Sequence, residues 1–424
     1  MYESMYQKTT LDNGLRIITS TMPMTRSISV VFFIGTGSRY ESAESAGVSH
    51  FVEHLLFKGT HKRPTAKDIS EAIEGVGGVL NGGTDRELTI YWAKVASTHF
   101  DLAFDVLVDM LMNSKYDAEE VEKERKVIIE ELNMILDAPH ERVDVLIDEV
   151  LWPDQPLGRD VAGTKETVNS FTRQDALDYV ATHYAPTNTV ISIVGNVEHE
   201  AVVEKVQRAL GGWQAESRVT LIPAQNGQNA PRWRIENRKT EQAHLCLGVR
   251  GLSNSHPDRY ALDLLNVVLG EGMSSRLFLE IREKRGLAYQ VHSYISHFLD
   301  SGSAVIYAGV EPKHTERTIS AILEELNHLK EGIPEAELTK VKEFSKGRML
   351  LRMEDTRSVA SWLGGQELLT GQIRTVDEVV EIIDSITAED LQRVAKNLFV
   401  TEKLNLALVG PFRAEKRLAG ILKF

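Results

Sequence analysis

A chain of 424 residues is too long for one ordinary hydrophobic core and calls for two or more domains of roughly 150–200 residues each. Hydrophobic residues at 42% and charged residues at 26% are the balance of a globular protein. A formal charge of -13 argues against nucleic acid as a partner, because phosphate binding needs clustered Lys and Arg.

In chain order, the N-terminal stretch MYESMYQKTTLDNGL has no apolar core of a leader segment. Residues 11–20 read as the start of a hairpin with Asn13-Gly14 at its turn. The continuous apolar, β-branched and aromatic run 28–34 predicts a buried strand, broken by Gly35-Thr36-Gly37-Ser38. Residues 47–58 carry Val48, Phe51, Val52, Leu55 and Leu56 at the spacing of one helix face. A second helix is expected over 66–76, a strand over 87–95 and a helix over 100–113. A long helix follows over 118–137 and stops before Pro139. The segment 214–231, rich in Gln, Asn, Gly, Pro and Ala, reads as a linker between domains at 1–213 and 232–424. Cys246, the single cysteine, excludes an intrachain disulfide and sits in the apolar run 243–249 as a small core residue. No run approaches the about 18 apolar residues of a membrane span, so no membrane partner is expected. With so little cysteine, the cytoplasm is the expected location.

The chain repeats itself. SFTRQDALDYVATHYAPTNTVISIVGNV at 170–197 and SITAEDLQRVAKNLFVTEKLNLALVGPF at 385–412 are each a capped helix, a turn and an apolar strand closed by Val-Gly. The shift of 215 positions that relates them also lays 28–34 on 243–249. A shared shift at two distant places argues for duplication of a half of about 210 residues. The expected fold is α+β: two similar α/β sandwich domains, each an antiparallel-rich sheet with helices packed on one face.

The strongest chemical signal is His50-Phe51-Val52-Glu53-His54, the pattern H-x-x-E-H. On a helix, positions i and i+4 lie one turn apart on one face, where two imidazoles can meet one zinc ion at about 2.0–2.1 Å. Glu53 then lies beside the metal without binding it, placed to take a proton from water. Two histidines and an acid flanking a buried stripe would be costly without a metal to satisfy them. A catalytic zinc needs a third protein ligand, and the helix 118–137 offers Glu119, Glu120, Glu122, Glu124, Glu130 and Glu131. Val121, Val127, Ile128, Leu132 and Ile135 mark its apolar stripe. Glu124 and Glu131 both lie along that stripe, two turns apart, while Glu130 points about 100° away from Glu131.

These residues resemble the inverzincins of the pitrilysin and mitochondrial processing peptidase family. The shared pieces are HFVEH at 50–54, NGGTDRELT at 81–89, ERKVIIEEL at 124–132 and GMSSRLFLEIREKRGLAYQV at 272–291, spread over both halves. The resemblance implies that Glu131, with 76 residues between it and His54, is the third ligand, and that Glu124 supports the site from behind. It implies one zinc per chain. It implies that the second half is non-catalytic and contributes Arg282 and Tyr289, which face the scissile bond. The shift of 215 places Leu265-Asn266-Val267-Val268-Leu269 on the motif, and Lys346 or Met349 on Glu131, so the second half keeps no ligand. Asn81 and Gly82 match an edge strand that pairs with extended substrate, where the family commonly has Asn-Ala. Family members of this length act as dimers, so the resemblance implies a homodimer in which Arg282 and Tyr289 reach the partner's zinc site. A heterodimer with an inactive paralogue is the alternative assembly. The expected activity is a zinc metalloendopeptidase acting on peptides or unfolded segments. Structural relatives that lose the H-x-x-E-H residues are the rival reading, and this chain keeps them all.

Overall fold

The computed structural model describes residues 5–217, 220–412 and 420–424. Its contacts divide the chain into two compact units. The first comprises the described parts of Met1–Leu132, Asp160–Ile222 and Leu350–Thr375. The second comprises those of Asn133–Arg159, Pro223–Met349 and Val376–Phe424.

The first unit is built on a six-stranded sheet of β1 (Gln7–Thr10), β2 (Arg16–Thr21), β3 (Ser27–Ile34), β4 (Val79–Thr84), β5 (Thr89–Ala96) and β6 (Thr189–Gly195). The strand order is β1-β2-β6-β3-β5-β4, antiparallel throughout except for β2 beside β6. The tight turn between β1 and β2 includes Asn13-Gly14, with Gly14 at φ +88°. Helices α1 (Val48–Leu56), α2 (Ala66–Glu74), α3 (Phe100–Asn113) and α4 (Ala118–Asp137) follow the predicted order closely.

The run SISVVFFI in β3 shows how this sheet is used. Alternate residues of a strand point to opposite faces. Ile28, Val30, Phe32 and Ile34 join the core that holds the apolar side of α1 and parts of α2, α3 and α4. Val31 and Phe33 join a second core, with Ile18, Trp92, Val190 and Val194. That second face is covered by the helix Thr356–Thr370 through Val359, Ala360 and Leu363. Helices therefore cover both faces of the sheet rather than one, which is why β3 reads as a continuous apolar run.

The second unit repeats the arrangement. Its sheet runs β7-β11-β8-β10-β9, with β7 (Arg232–Asn237), β8 (Ala243–Arg250), β9 (Ala288–His297), β10 (Gly302–Val310) and β11 (Asn405–Gly410). The 215-residue shift brings β2, β3, β5 and β6 to within two residues of β7, β8, β10 and β11. α5 (Pro139–Leu151) covers one sheet face with Val143, Leu146, Ile147 and Leu151, against Cys246, Val305, Ala407 and Val409. Under the same shift α5 is the counterpart of Thr356–Thr370. Each half of the sequence thus contributes this helix to the unit that carries the other half's sheet. The compact units are consequently discontinuous in sequence. The segment 214–231 has no helix or strand among its described residues. Among the described residues, no helix is long and apolar enough to cross a membrane.

Candidate metal centre

α1 is held by both its faces and its beginning. Val48, Phe51, Val52, Leu55 and Leu56 are buried in the core beneath the sheet, which leaves His50, Glu53 and His54 on the opposite side. At the helix start the buried carboxylate of Glu41 accepts from Gly47 N at 2.7 Å and Ser49 N at 2.8 Å. It satisfies backbone N–H groups that have no partner within the helix, and places negative charge at the positive end of the dipole. Gly47 has φ +95°, and a Cβ there would lie 2.5 Å from the carbonyl oxygen of Ala162, so only glycine fits that entry.

The structure brings His50, His54 and Glu131 together. The Nε2 atoms of the two histidines are 3.2 Å apart, and Glu131 Oε2 is 3.8 Å from His50 Nε2 and 3.6 Å from His54 Nε2. One ligand atom from each lies within 4.8 Å of the others. Two nitrogens bound tetrahedrally at about 2.0–2.1 Å would stand about 3.3 Å apart, so the spacing suits one zinc ion. Chemistry agrees. Glu124 Oε2 lies 3.0 Å from His54 Nδ1, and a carboxylate only accepts, so that nitrogen carries the hydrogen and Nε2 is left with its lone pair. Burial and the neighbouring His54 push His50 down to about 4, so it is neutral, as a ligand must be. Burial would lower His54 too, but the bond to Glu124 and the charges of Glu131 and Glu53 outweigh it and leave its pKa raised. Any proton held by the pair therefore sits on His54. His50 Nδ1 is buried and finds no hydrogen-bond partner among the described residues.

Glu53 projects beside this cluster. Burial raises its pKa, opposed by the hydrogen bond from Thr84 and the charge of His54. Thr84 Oγ1 donates to Glu53 Oε2 at 2.8 Å. Thr84 belongs to β4, the outermost strand of its sheet, as do exposed Asn81 and half-buried Gly82. Glu124, buried as the helical phase implied, also accepts from Lys58 Nζ at 2.7 Å. Burial would raise the Glu124 carboxyl, but His54 and Lys58 hold it below the usual range.

Arg282 and Tyr289 meet in the second unit. The Arg282 guanidinium lies 5.2 Å from the Tyr289 ring centre and 4.8 Å from that of Phe278. Arg282 sits in the π-helical turn Phe278–Lys284, and Tyr289 follows at the start of β9. Tyr289 is 77% exposed although it lies in a strand, so it is not a core residue. The second half has no matching metal cluster among its described residues: Leu265, Asn266, Val267, Val268 and Leu269 are buried, Met349 is buried, and Lys346 donates to Asp384.

Three contributors had gone unread in the sequence. Lys58 was within reach, since it follows His54 by one helical turn. Thr84 follows Gly82 by two positions and so shares its side of a strand. Glu41 carries no local signal, because its role depends on how the chain folds back onto the start of α1.

The chain is similar to known proteins over nearly its whole length. The family model described as insulinase (peptidase family M16) matches residues 16–165, and the one described as peptidase M16 inactive domain matches residues 170–344. A protein of Bacillus subtilis named zinc protease YmxG is 39% identical over 96% of this chain and 98% of its own length. A zinc protease of Streptomyces coelicolor is 40% identical over 96% of this chain and 90% of its own. In fold, the crystal structure of a protease from Helicobacter pylori superposes with a TM-score of 0.89 at 24% identity, covering 96% of this chain and 99% of that one. Two family models in tandem and full-length relatives at this identity establish that the chain belongs to peptidase family M16 and is a two-domain zinc peptidase.

Proposed function

We propose that the protein is an endopeptidase that hydrolyses peptides or unfolded segments, with one zinc per chain held by His50, His54 and Glu131 and with Glu53 as general base. The observation that carries this reading is the convergence of the three ligand atoms beside a half-buried Glu53 carboxylate. Zinc in that position supplies Lewis acidity toward water and the scissile carbonyl. Glu53 takes the proton from the attacking water and later gives it to the leaving amine. A carboxyl raised by burial is suited to both steps, because its pKa moves toward the working pH. Glu124 fixes the tautomer and orientation of His54. The free edge of β4 at Asn81 and Gly82 pairs with extended substrate through backbone hydrogen bonds, which asks little of its sequence.

Arg282 and Tyr289 form a cation and phenol pair able to stabilise the tetrahedral oxyanion. In this proposal they act on the zinc site of the partner in a homodimer, with residues 1–213 catalytic and 232–424 non-catalytic. The near absence of cysteine is in keeping with a cytoplasmic location. The test is cleavage of a mixed library of short peptides by zinc-loaded wild type and by Glu53→Gln. Wild type is expected to cleave, and the variant to bind zinc without cleaving. Equal cleavage by both would overturn the mechanism.

A further inference from the structure

β4 touches the general base from one side along two successive same-face positions. Alternate residues of a strand share a face, so Gly82 and Thr84 point the same way, and both meet Glu53. Thr84 Oγ1 donates to Oε2 at 2.8 Å. At Gly82 a Cβ would lie 3.1 Å from Glu53 Oε1 and 3.0 Å from the Phe57 ring. The bare backbone there leaves the space that Oε1 occupies. One carboxylate oxygen is therefore tethered and the other only bounded. The tether comes from the strand whose other edge is free.

We propose that Thr84 is a positioning residue for the general base: its hydroxyl fixes Oε2 and so turns Oε1 toward the water to be deprotonated. The strand that pairs with substrate then also sets the orientation of the base, which ties substrate register to proton transfer. A glutamate carboxylate turns freely about its last side-chain bond and has several orientations, and holding one of them removes the cost of finding it in each turnover. This rests on Glu53 acting as the base.

The test uses the full-length zinc-loaded protein and four variants: Thr84→Val, Thr84→Ser, Glu53→Gln and the double variant Thr84→Val/Glu53→Gln. Because one neutral hydrogen bond is lost while the strand and helix stay in place, Thr84→Val is expected to lower kcat about tenfold, less than the roughly hundredfold cost of gross misplacement. KM and zinc affinity, the latter read by chelator competition, should stay as in wild type. Thr84→Ser keeps the hydroxyl and should recover most of the lost kcat. In the Glu53→Gln background Thr84→Val should cost nothing further, because the two groups act as a unit. A Thr84→Val enzyme with unchanged kcat overturns the proposal, and so does a loss confined to KM. Thr84→Ser as impaired as Thr84→Val also overturns it, since the effect would then follow packing rather than the hydroxyl. A Glu53→Gln variant as active as wild type overturns instead the base assignment beneath it, and that result is read from the single variant alone.

Discussion

Glu124 Oε2 on α4 stands 3.0 Å from His54 Nδ1 on α1, bound to the side of the imidazole that faces away from Glu131. The contact fixes which nitrogen of His54 carries the hydrogen and which is free for metal. Such supporting groups are worth about 10–100-fold in metal affinity. Glu124→Gln keeps an oxygen but loses the charge that holds the tautomer, so zinc affinity should fall by about tenfold or more. Chelator competition measures it directly. Affinity equal to wild type would show that His54 is oriented by its helix alone.

Lys58 acts one step further out. It follows His54 by one turn and donates to the second oxygen of Glu124 at 2.7 Å, with its own side chain 27% exposed. The ion pair holds the carboxylate in one rotamer, and its partial exposure keeps it weak. Lys58→Met should therefore weaken zinc binding by less than Glu124→Gln does, and Lys58→Arg should retain most of it. In a Glu124→Gln background, Lys58→Met should add little, because Lys58 works through Glu124. Additive losses in the same competition assay would refute that order.

The helix Thr356–Thr370 can be tested through two adjacent glycines. A Cβ at Gly364 would lie 2.2 Å from Phe33 Cε2 of β3, whereas a Cβ at Gly365 meets nothing within 4 Å. Alanine in a helix interior gains about 1 kcal/mol over glycine. Overpacking against an aromatic ring typically costs about 1–3 kcal/mol. Gly365→Ala should thus raise the midpoint of unfolding of the first unit, while Gly364→Ala lowers it. Equal effects would mean that this helix does not approach the sheet as closely as the structure has it.

The parts of the site written within one helix were legible, because periodicity sets their relative direction. His50, Glu53 and His54 needed only a turn of α1. For the third ligand, helical phase left Glu124 and Glu131 open, and family spacing separated them. Phase reading also had a limit: Val127, counted in the apolar stripe of α4, is 43% exposed. Residues joined across the chain were not legible. Thr84 and Lys58 are ordinary polar residues until the fold brings them to Glu53 and Glu124. The exchange of α5 and Thr356–Thr370 was hidden for a related reason. An amphipathic pattern says that a helix has an apolar side, but not which sheet will cover it.

His183 makes the stability of the first unit depend on pH. Its Nδ1 lies 3.1 Å from Thr36 Oγ1, and its ring stacks on Tyr179 with centroids 4.2 Å apart. Burial pushes the imidazole down to about 4 from an ordinary 6.5. The unfolded chain therefore takes up a proton that the folded one refuses. The contribution is fully present above about pH 6.5, is lost as pH falls toward 4, and is constant below that. One pKa unit is worth about 1.4 kcal/mol, so moving from pH 7 to pH 5 should cost wild type about 2 kcal/mol through this group. His183→Gln cannot take up the proton in either state. Urea unfolding of both proteins at pH 7 and pH 5 should show a smaller acid loss in the variant. Identical losses would mean that His183 is protonated in the fold as readily as in the unfolded chain, and that its packing against Tyr179 and Thr36 opens in solution.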